Sequence, residues 1–156
     1  MSERTSRLVS SGGLVVGSVL GMAGTFVTSA AVRGLLWGLD GVALIVSTAL
    51  LALHYFRKND DVVAAGFLVF VVGEALILSS AAMDLATSGP TFGAGASLWA
   101  ASFYLLSAPR VAVLWVRIAG AIAGSLLLVV ALQLFMGAAL TPLSKPLPFF
   151  AYPFLV

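Results

Sequence analysis

Apolar stretches long enough to cross a bilayer alternate along the chain with short polar segments. They cover residues 8–32, 35–56, 62–83, 92–109 and 118–140. An α-helix rises about 1.5 Å per residue, and roughly 20 apolar residues cross the hydrocarbon core. The pattern therefore predicts an all-α protein, a polytopic transmembrane bundle of about five helices that forms a single integral membrane domain.

The chain ends in a segment rich in proline and aromatic residues, 141–156, which contains four prolines. Because proline removes a backbone donor and breaks helices, most of this segment is not expected to be regular helix. Its last apolar part, 147–156, is too short to span. We expect it to lie at the interface, to pack on the bundle, or to begin a sixth helix.

The composition excludes a soluble protein. Hydrophobic residues make up 61% of the chain and charged residues 9%, and the mean hydropathy is +1.12. So few charged side chains cannot cover the surface of a soluble domain. The net charge is only +2, and the basic residues stand at helix ends without forming a patch, so we expect no binding of nucleic acid.

Lysine and arginine are distributed unevenly between the two predicted sides of the membrane. One side carries Arg4, Arg7, Arg57, Lys58, Arg110 and Arg117, and the other carries Arg33 and Lys145. Cytoplasmic loops are enriched in these residues. We therefore expect an integral protein of a prokaryotic inner membrane with its amino terminus inside and its carboxyl terminus outside.

Residues that could hold a metal or a cofactor are scarce. The sequence has no cysteine and a single histidine, His54, which leaves too few ligands for a zinc site. A haem held by His54 and a methionine such as Met22, Met83 or Met136 would rest on that one histidine. No nucleophile elbow, phosphate-binding loop or dinucleotide fingerprint occurs. We expect no metal, no cofactor and no catalytic residue.

Glu74 is the one charged residue within the apolar stretch 62–83. A carboxyl at this depth is costly, and hydrocarbon favours its protonated form. Two roles are open. Glu74 is either a neutral hydrogen-bonding group that holds helices in register through Ser47, Thr48, Gln133 or a backbone carbonyl, or a carboxyl that changes protonation during transport or ligand binding.

The stretch 35–56 carries Asp40, Ser47 and His54 at intervals of seven residues. Seven residues make about two helical turns, so these side chains share one stripe about 21 Å long. The stripe is either a path for protons or ions, or it joins two interfacial residues. In the second case Asp40 pairs with Arg33 near the outer side, and His54 lies at the inner interface.

Depths counted from the helix centres make a shared polar layer possible in the outer half of the bundle. The candidate binding residues are Glu74, Asp40, Gln133, Ser47 and His54.

Glycines recur every four residues in the first stretch, at Gly13, Gly17 and Gly21, and again at Gly120 and Gly124 in the last. Small residues at this spacing let helix backbones approach closely in lipid. We predict two helix-packing faces, each against either a neighbouring helix of the same chain or a second subunit.

These features predict a small integral membrane protein that works by binding, as an accessory subunit or as a site for an apolar ligand. Its expected partners are the lipid bilayer and either further copies of itself or a larger membrane complex. The alternative is a small proton-linked transporter or channel that uses the intramembrane carboxyl of Glu74; a membrane enzyme ranks third. A polar cavity that reaches Glu74 from one side would favour the transporter, and a dry, filled bundle would favour the binding protein.

Overall fold

A computed structural model describes residues 3–81, 83 and 87–139. Its helices are α1 (Glu3–Phe26), α2 (Ala30–Phe56), α3 (Asp61–Ala81), α4 (Gly89–Ser107) and α5 (Leu114–Phe135). Within the described ranges there is no β-strand. The predicted architecture, an all-α bundle suited to a membrane, is confirmed.

Four of the helices, α1, α2, α3 and α5, are long and apolar enough to cross a bilayer. The remaining helix, α4, has 19 residues and is therefore about 28 Å long, but its glycines, serines and threonine make it less apolar. The segment 141–156, for which three arrangements were considered, lies outside the described residues.

Each helix packs against its neighbours in the chain: α1 against α2, α2 against α3, α3 against α4, and α4 against α5. The short connections between them make successive helices antiparallel. The helices thus form a row, and this row is curved, since side chains of α1, α2, α3 and α4 line one common cavity.

The chain turns between α1 and α2 at residues 27–29, earlier than the hydropathy pattern suggests. Ser29 caps α2, and its hydroxyl oxygen accepts a bond from the backbone N–H of Val32. Arg33 therefore lies in the first turn of α2 and not between the helices. Its guanidinium donates to the carbonyl of Val27 at 3.2 Å and lies over the Trp37 ring, 5.7 Å from the centroid.

Two further helices also begin earlier than predicted. Pro90 lies in the first turn of α4, where the missing N–H of proline costs nothing because that position has no intrahelical partner. α5 begins at Leu114, so Arg117 lies in its first turn. The Arg117 guanidinium donates to the carbonyl oxygens of Ser107 at 2.8 Å and Ala108 at 3.1 Å, which ties the end of α4 to the start of α5.

The helices α3 and α4 cross closely at two glycines. A Cβ atom placed on Gly95 would lie 2.8 Å from the carbonyl oxygen of Gly73, so this crossing requires glycine. Next to it, the Phe70 ring stacks on Trp99 with centroids 5.0 Å apart, and Phe103 meets Phe70 edge to face. The crossing fixes where Trp99 stands relative to Glu74, the residue that follows Gly73.

Candidate functional site

A cavity of about 140 Å³ lies between the first four helices. Its apolar lining consists of Leu14, Leu44, Phe67, Phe70, Trp99, Phe103 and Leu106, and its polar lining of Ser18, Asp40 and Thr48. The polar members come from α1 and α2, whereas α3 and α4 supply the aromatic wall. A cavity of this volume is comparable to an engineered apolar cavity that binds benzene in another protein.

Asp40 is the carboxyl group in the cavity wall. Its side chain is 6% exposed and packs against Gly21 of α1, where any Cβ atom would overlap it. Its Oδ1 atom is buried without a hydrogen-bond partner. Because α2 begins at Ala30, Asp40 lies about 15 Å along the helix, deeper than the predicted interfacial position. Arg33 does not pair with it and instead contacts Val27 and Trp37.

Glu74 belongs to α3 and lies on the side of that helix that packs against α2. It is 2% exposed, and its Oε1 atom lies 3.1 Å from the position that a Cβ on Gly41 would take. Its Oε2 atom is buried without a partner. Glu74 is not among the residues that line the cavity, but it meets α2 at Gly41, the residue that directly follows Asp40.

The two carboxyls also lie at the same depth. Asp40 is three residues before the midpoint of α2, and Glu74 is three residues after the midpoint of α3. In antiparallel helices these positions lie on the same side, about 4–5 Å from the middle. The structure thus brings together two of the predicted site residues.

The hydrogen bond that was expected to hold Glu74 in place is not formed. Thr48 donates to the carbonyl of Leu44, in its own helix, at 2.6 Å. Ser47 is buried against Gly13 of α1, and Gln133 belongs to α5, which packs against α4. None of these three polar residues bonds to Glu74, and its Oε2 atom has no hydrogen-bond partner among the described residues.

Trp99 and Ser102 of α4 are polar groups of this region that the sequence analysis missed. The Nε1 atom of Trp99 and the Oγ atom of Ser102 are buried without hydrogen-bond partners. Together with Asp40 and Glu74 they are the buried side chains with an unpartnered polar atom in the described part of the chain. Each such atom costs roughly 1–3 kcal/mol, and native proteins contain few of them. The available signal was a tryptophan in α4, the helix that is not among the four apolar enough to span a membrane.

Gln133 and His54 lie away from the cavity. Gln133 is two residues from the end of α5 and about 13 Å from its midpoint, since α5 both begins and ends earlier than predicted. His54 is half-buried in the last turn of α2, where its ring meets Tyr55 edge to face. It is about 21 Å along α2 from Asp40. Roles for these two residues in binding stay predictions.

Both glycine rows face a helix of the same chain. In α1, Cβ atoms on Gly13, Gly17 and Gly21 would meet side chains of α2 at Ser47, Leu44 and Asp40. In α5, Gly120 faces Ser107, and a Cβ on Gly124 would lie 3.1 Å from the carbonyl oxygen of Ala100. The first row therefore sets how closely α1 approaches the carboxyl of Asp40.

A wider groove of about 380 Å³ adjoins the cavity on the side that carries the basic loops. Tyr55, Trp115 and Arg117 contribute to its lining. Phe67, Phe103 and Leu106 line both the groove and the cavity. The two spaces therefore share these three side chains as part of their walls.

The described residues contain no group of three or more histidine, aspartate or glutamate side chains that could hold a metal ion. Comparisons with protein-family models, with curated proteins and with solved structures found no significant match. Function must therefore be inferred from the cavity and its two carboxyls.

Proposed function

We propose that this protein is a non-catalytic membrane protein that binds a small, largely apolar molecule in the cavity between α1 and α4. The observation that carries the proposal is the unpartnered Oδ1 atom of Asp40 in the wall of a cavity whose other walls are mostly apolar and aromatic. Ligand sites in proteins combine an apolar lining with a few polar groups that orient the ligand.

The size of the cavity limits the ligand. A space of about 140 Å³ accepts one benzene ring, and substituents on that ring would reach towards the groove. A longer apolar chain would have to displace Phe67, Phe103 or Leu106 and extend into the groove. We propose that the apolar side chains exposed on the outer faces of the helices contact lipid. The ligand would then enter the cavity from the lipid.

The proposed orientation follows the loop charges, with the amino terminus and the turn at Arg57 and Lys58 in the cytoplasm of a prokaryotic cell. The groove then opens towards the cytoplasm and the two carboxyls lie in the outer half of the bilayer. Assembly with further copies or with a larger complex remains part of the proposal, although the glycine rows already have partners within the chain.

Trp99 gives a direct test of ligand binding. The sequence has three tryptophans, so Trp37→Phe with Trp115→Phe leaves Trp99 as the only emitter, in the cavity wall. Bromobenzene should quench this emission with a saturable component in lipid nanodiscs, because the heavy atom would contact the indole.

The control compares two serines of α1. Ser18 lines the cavity, whereas Ser11 is exposed on the outer face. Ser18→Leu should abolish the saturable quenching, and Ser11→Leu should leave it unchanged. Quenching that rises linearly with bromobenzene and is equal in both variants would reflect partition into lipid, and would refute the proposal.

A second candidate function is a small proton-linked transporter. The pair of buried carboxyls without a basic partner favours it, because intramembrane carboxyls commonly mark proton and substrate pathways. Reconstituted protein would then move protons together with a solute, whereas a binding protein would saturate without net transport. Acidification of the lumen of proteoliposomes, measured with a pH-sensitive dye during addition of candidate solutes, separates the two.

A further inference from the structure

We propose that the ligand of this cavity is a small organic cation, a protonated amine on an apolar body, that competes with protons for the carboxyl of Asp40. This inference rests on the proposed function and names the chemical class of the molecule bound. It requires that an amine bind more tightly than its neutral counterpart.

Among the described residues, no basic side chain faces the two carboxyls to neutralise their charge. α1 has no titratable side chain between residues 8 and 26, and in α4 the only titratable group is the exposed Tyr104. On α2, Arg33 is held at Val27 and Trp37, and His54 lies at the far end. On α3, the other acid is Asp61, in the first turn.

It follows that an ionised carboxyl here has no cation of the protein to pair with. A buried, unpaired carboxylate is very costly and persists only if protonated or paired. Asp40 and Glu74 also repel each other when both are ionised. The site is therefore stable with bound protons or with a bound cation, and one can replace the other.

The cavity that contains Asp40 also has an aromatic wall. Phe67, Phe70, Trp99 and Phe103 all contribute to the cavity lining, and Phe70 stacks on Trp99 with its ring nearly parallel. Aromatic faces attract organic cations, tryptophan most strongly, and the attraction grows when water is excluded. An aromatic wall facing a carboxylate is the combination that favours a cation with an apolar body over an inorganic ion.

In the described structure, the carboxyl of Asp40 also lacks a hydrogen-bond donor. The Oδ1 atom of Asp40 is buried without a donor, and within the described chain no side chain is placed to supply one. An ammonium N–H would supply a charge-assisted bond, which is about twice as strong as a neutral one. A quaternary ammonium would lack this bond, so the preferred ligand carries at least one N–H.

The experiment uses two probes of nearly the same shape, 4-bromobenzylamine and 4-bromobenzyl alcohol, and the protein in which Trp99 is the only tryptophan. Both probes quench by the heavy atom, and only the amine is a cation. In nanodiscs of zwitterionic lipid at about pH 8, the amine should bind roughly tenfold or more tightly than the alcohol, as expected for a charge-assisted contact. Lowering the pH to about 5 should weaken binding of the amine and leave binding of the alcohol unchanged, since protons compete for a buried carboxyl that has no cation of the protein to pair with.

Asp40→Asn keeps the shape of the side chain and removes its charge. It should abolish the preference for the amine and its pH dependence, while binding of the alcohol shows that the variant is folded. Asp61→Asn, which removes an exposed carboxyl of α3, is the matched control and should retain the preference.

The outcomes separate the two proposals. If the alcohol binds saturably and the amine binds no better, the proposed function stands and the inference about the cation is overturned. A preference for the amine that survives Asp40→Asn would arise outside the cavity and would overturn it as well. If neither probe binds saturably, the proposed function and the inference both fail.

Discussion

The crossing of α3 and α4 offers the sharpest test of the packing that positions the cavity. Gly95→Ala adds a single methyl group at this crossing. The new Cβ would lie 2.6 Å from Cγ1 of Ile77 and 2.8 Å from the carbonyl oxygen of Gly73. The isoleucine side chain can rotate away, but the carbonyl belongs to the α3 backbone. The two helices must therefore separate by several tenths of an ångström.

Overpacking of this kind costs about 1–3 kcal/mol. Alanine also stabilises a helix by up to about 1 kcal/mol relative to glycine, so the control must carry the same exchange without the clash. Gly38→Ala serves this purpose, since a Cβ there meets nothing within 4 Å. Relative to Gly38→Ala, we expect Gly95→Ala to lower the free energy of unfolding by about 1–3 kcal/mol.

The assay is thermal unfolding in mild detergent, followed by helical circular dichroism and by the emission of Trp99. Trp99 lies one helical turn after Gly95, so its emission should shift in the variant even below the transition. If Gly95→Ala is as stable as Gly38→Ala and Trp99 emission is unchanged, the close approach of α3 and α4 does not exist.

The remaining predictions concern topology and Glu74. In this cysteine-free chain, Asn59→Cys should be protected from an impermeant thiol reagent in intact cells, and Thr87→Cys should be labelled; the reverse pattern would overturn the orientation. Glu74→Gln keeps the shape of the side chain and should change thermal stability little, because no hydrogen bond of the described structure depends on it, and a large loss would show that the carboxyl is structural. In the amine-binding assay, Glu74→Gln should retain the preference for the amine while shifting its pH dependence, since the repulsion on Asp40 is gone; an unchanged pH profile would separate Glu74 from the site.

The sequence was sufficient to predict the all-helical bundle and to single out the two carboxyls within it. A charged residue in hydrocarbon is conspicuous, and counting 1.5 Å per residue placed both Asp40 and Glu74 in the outer half of the bundle. The glycine rows were also visible as packing faces. What the sequence could not give was which helix each row would meet, because spacing describes one helix at a time.

The turn between α1 and α2 could not be predicted because the apolar run continues through it. Hydropathy reports transfer into lipid and is insensitive to a cap such as Ser29. The position of this turn affects the site. Because α2 begins at Ala30, Asp40 lies in the cavity wall and not at the predicted interfacial position. Similarly, α5 begins and ends earlier than predicted, so Gln133 lies near the end of the helix.

Trp99 was overlooked for a different reason. A tryptophan in an apolar helix is ordinarily part of the packing, and nothing in the local sequence shows that its N–H has no acceptor. Only the crossing at Gly73 and Gly95 reveals that its indole lies in the wall of the cavity that Asp40 also lines. Buried polar groups that lack partners are a property of the assembled helices, and for this reason they could not be found from a single helix pattern.

The central claim, that a cation-selective space adjoins Asp40, can be measured most directly at Thr48. Thr48 is 2% exposed and lines the cavity, so Thr48→Cys places a thiol there in a chain that has no other cysteine. Asn59→Cys, in the exposed turn before α3, is the control. We predict that a small methanethiosulfonate reagent modifies both thiols and that 4-bromobenzylamine slows modification at residue 48 only, whereas 4-bromobenzyl alcohol protects it far less. A thiol at residue 48 that never reacts, or that the amine and the alcohol protect equally, would contradict the claim.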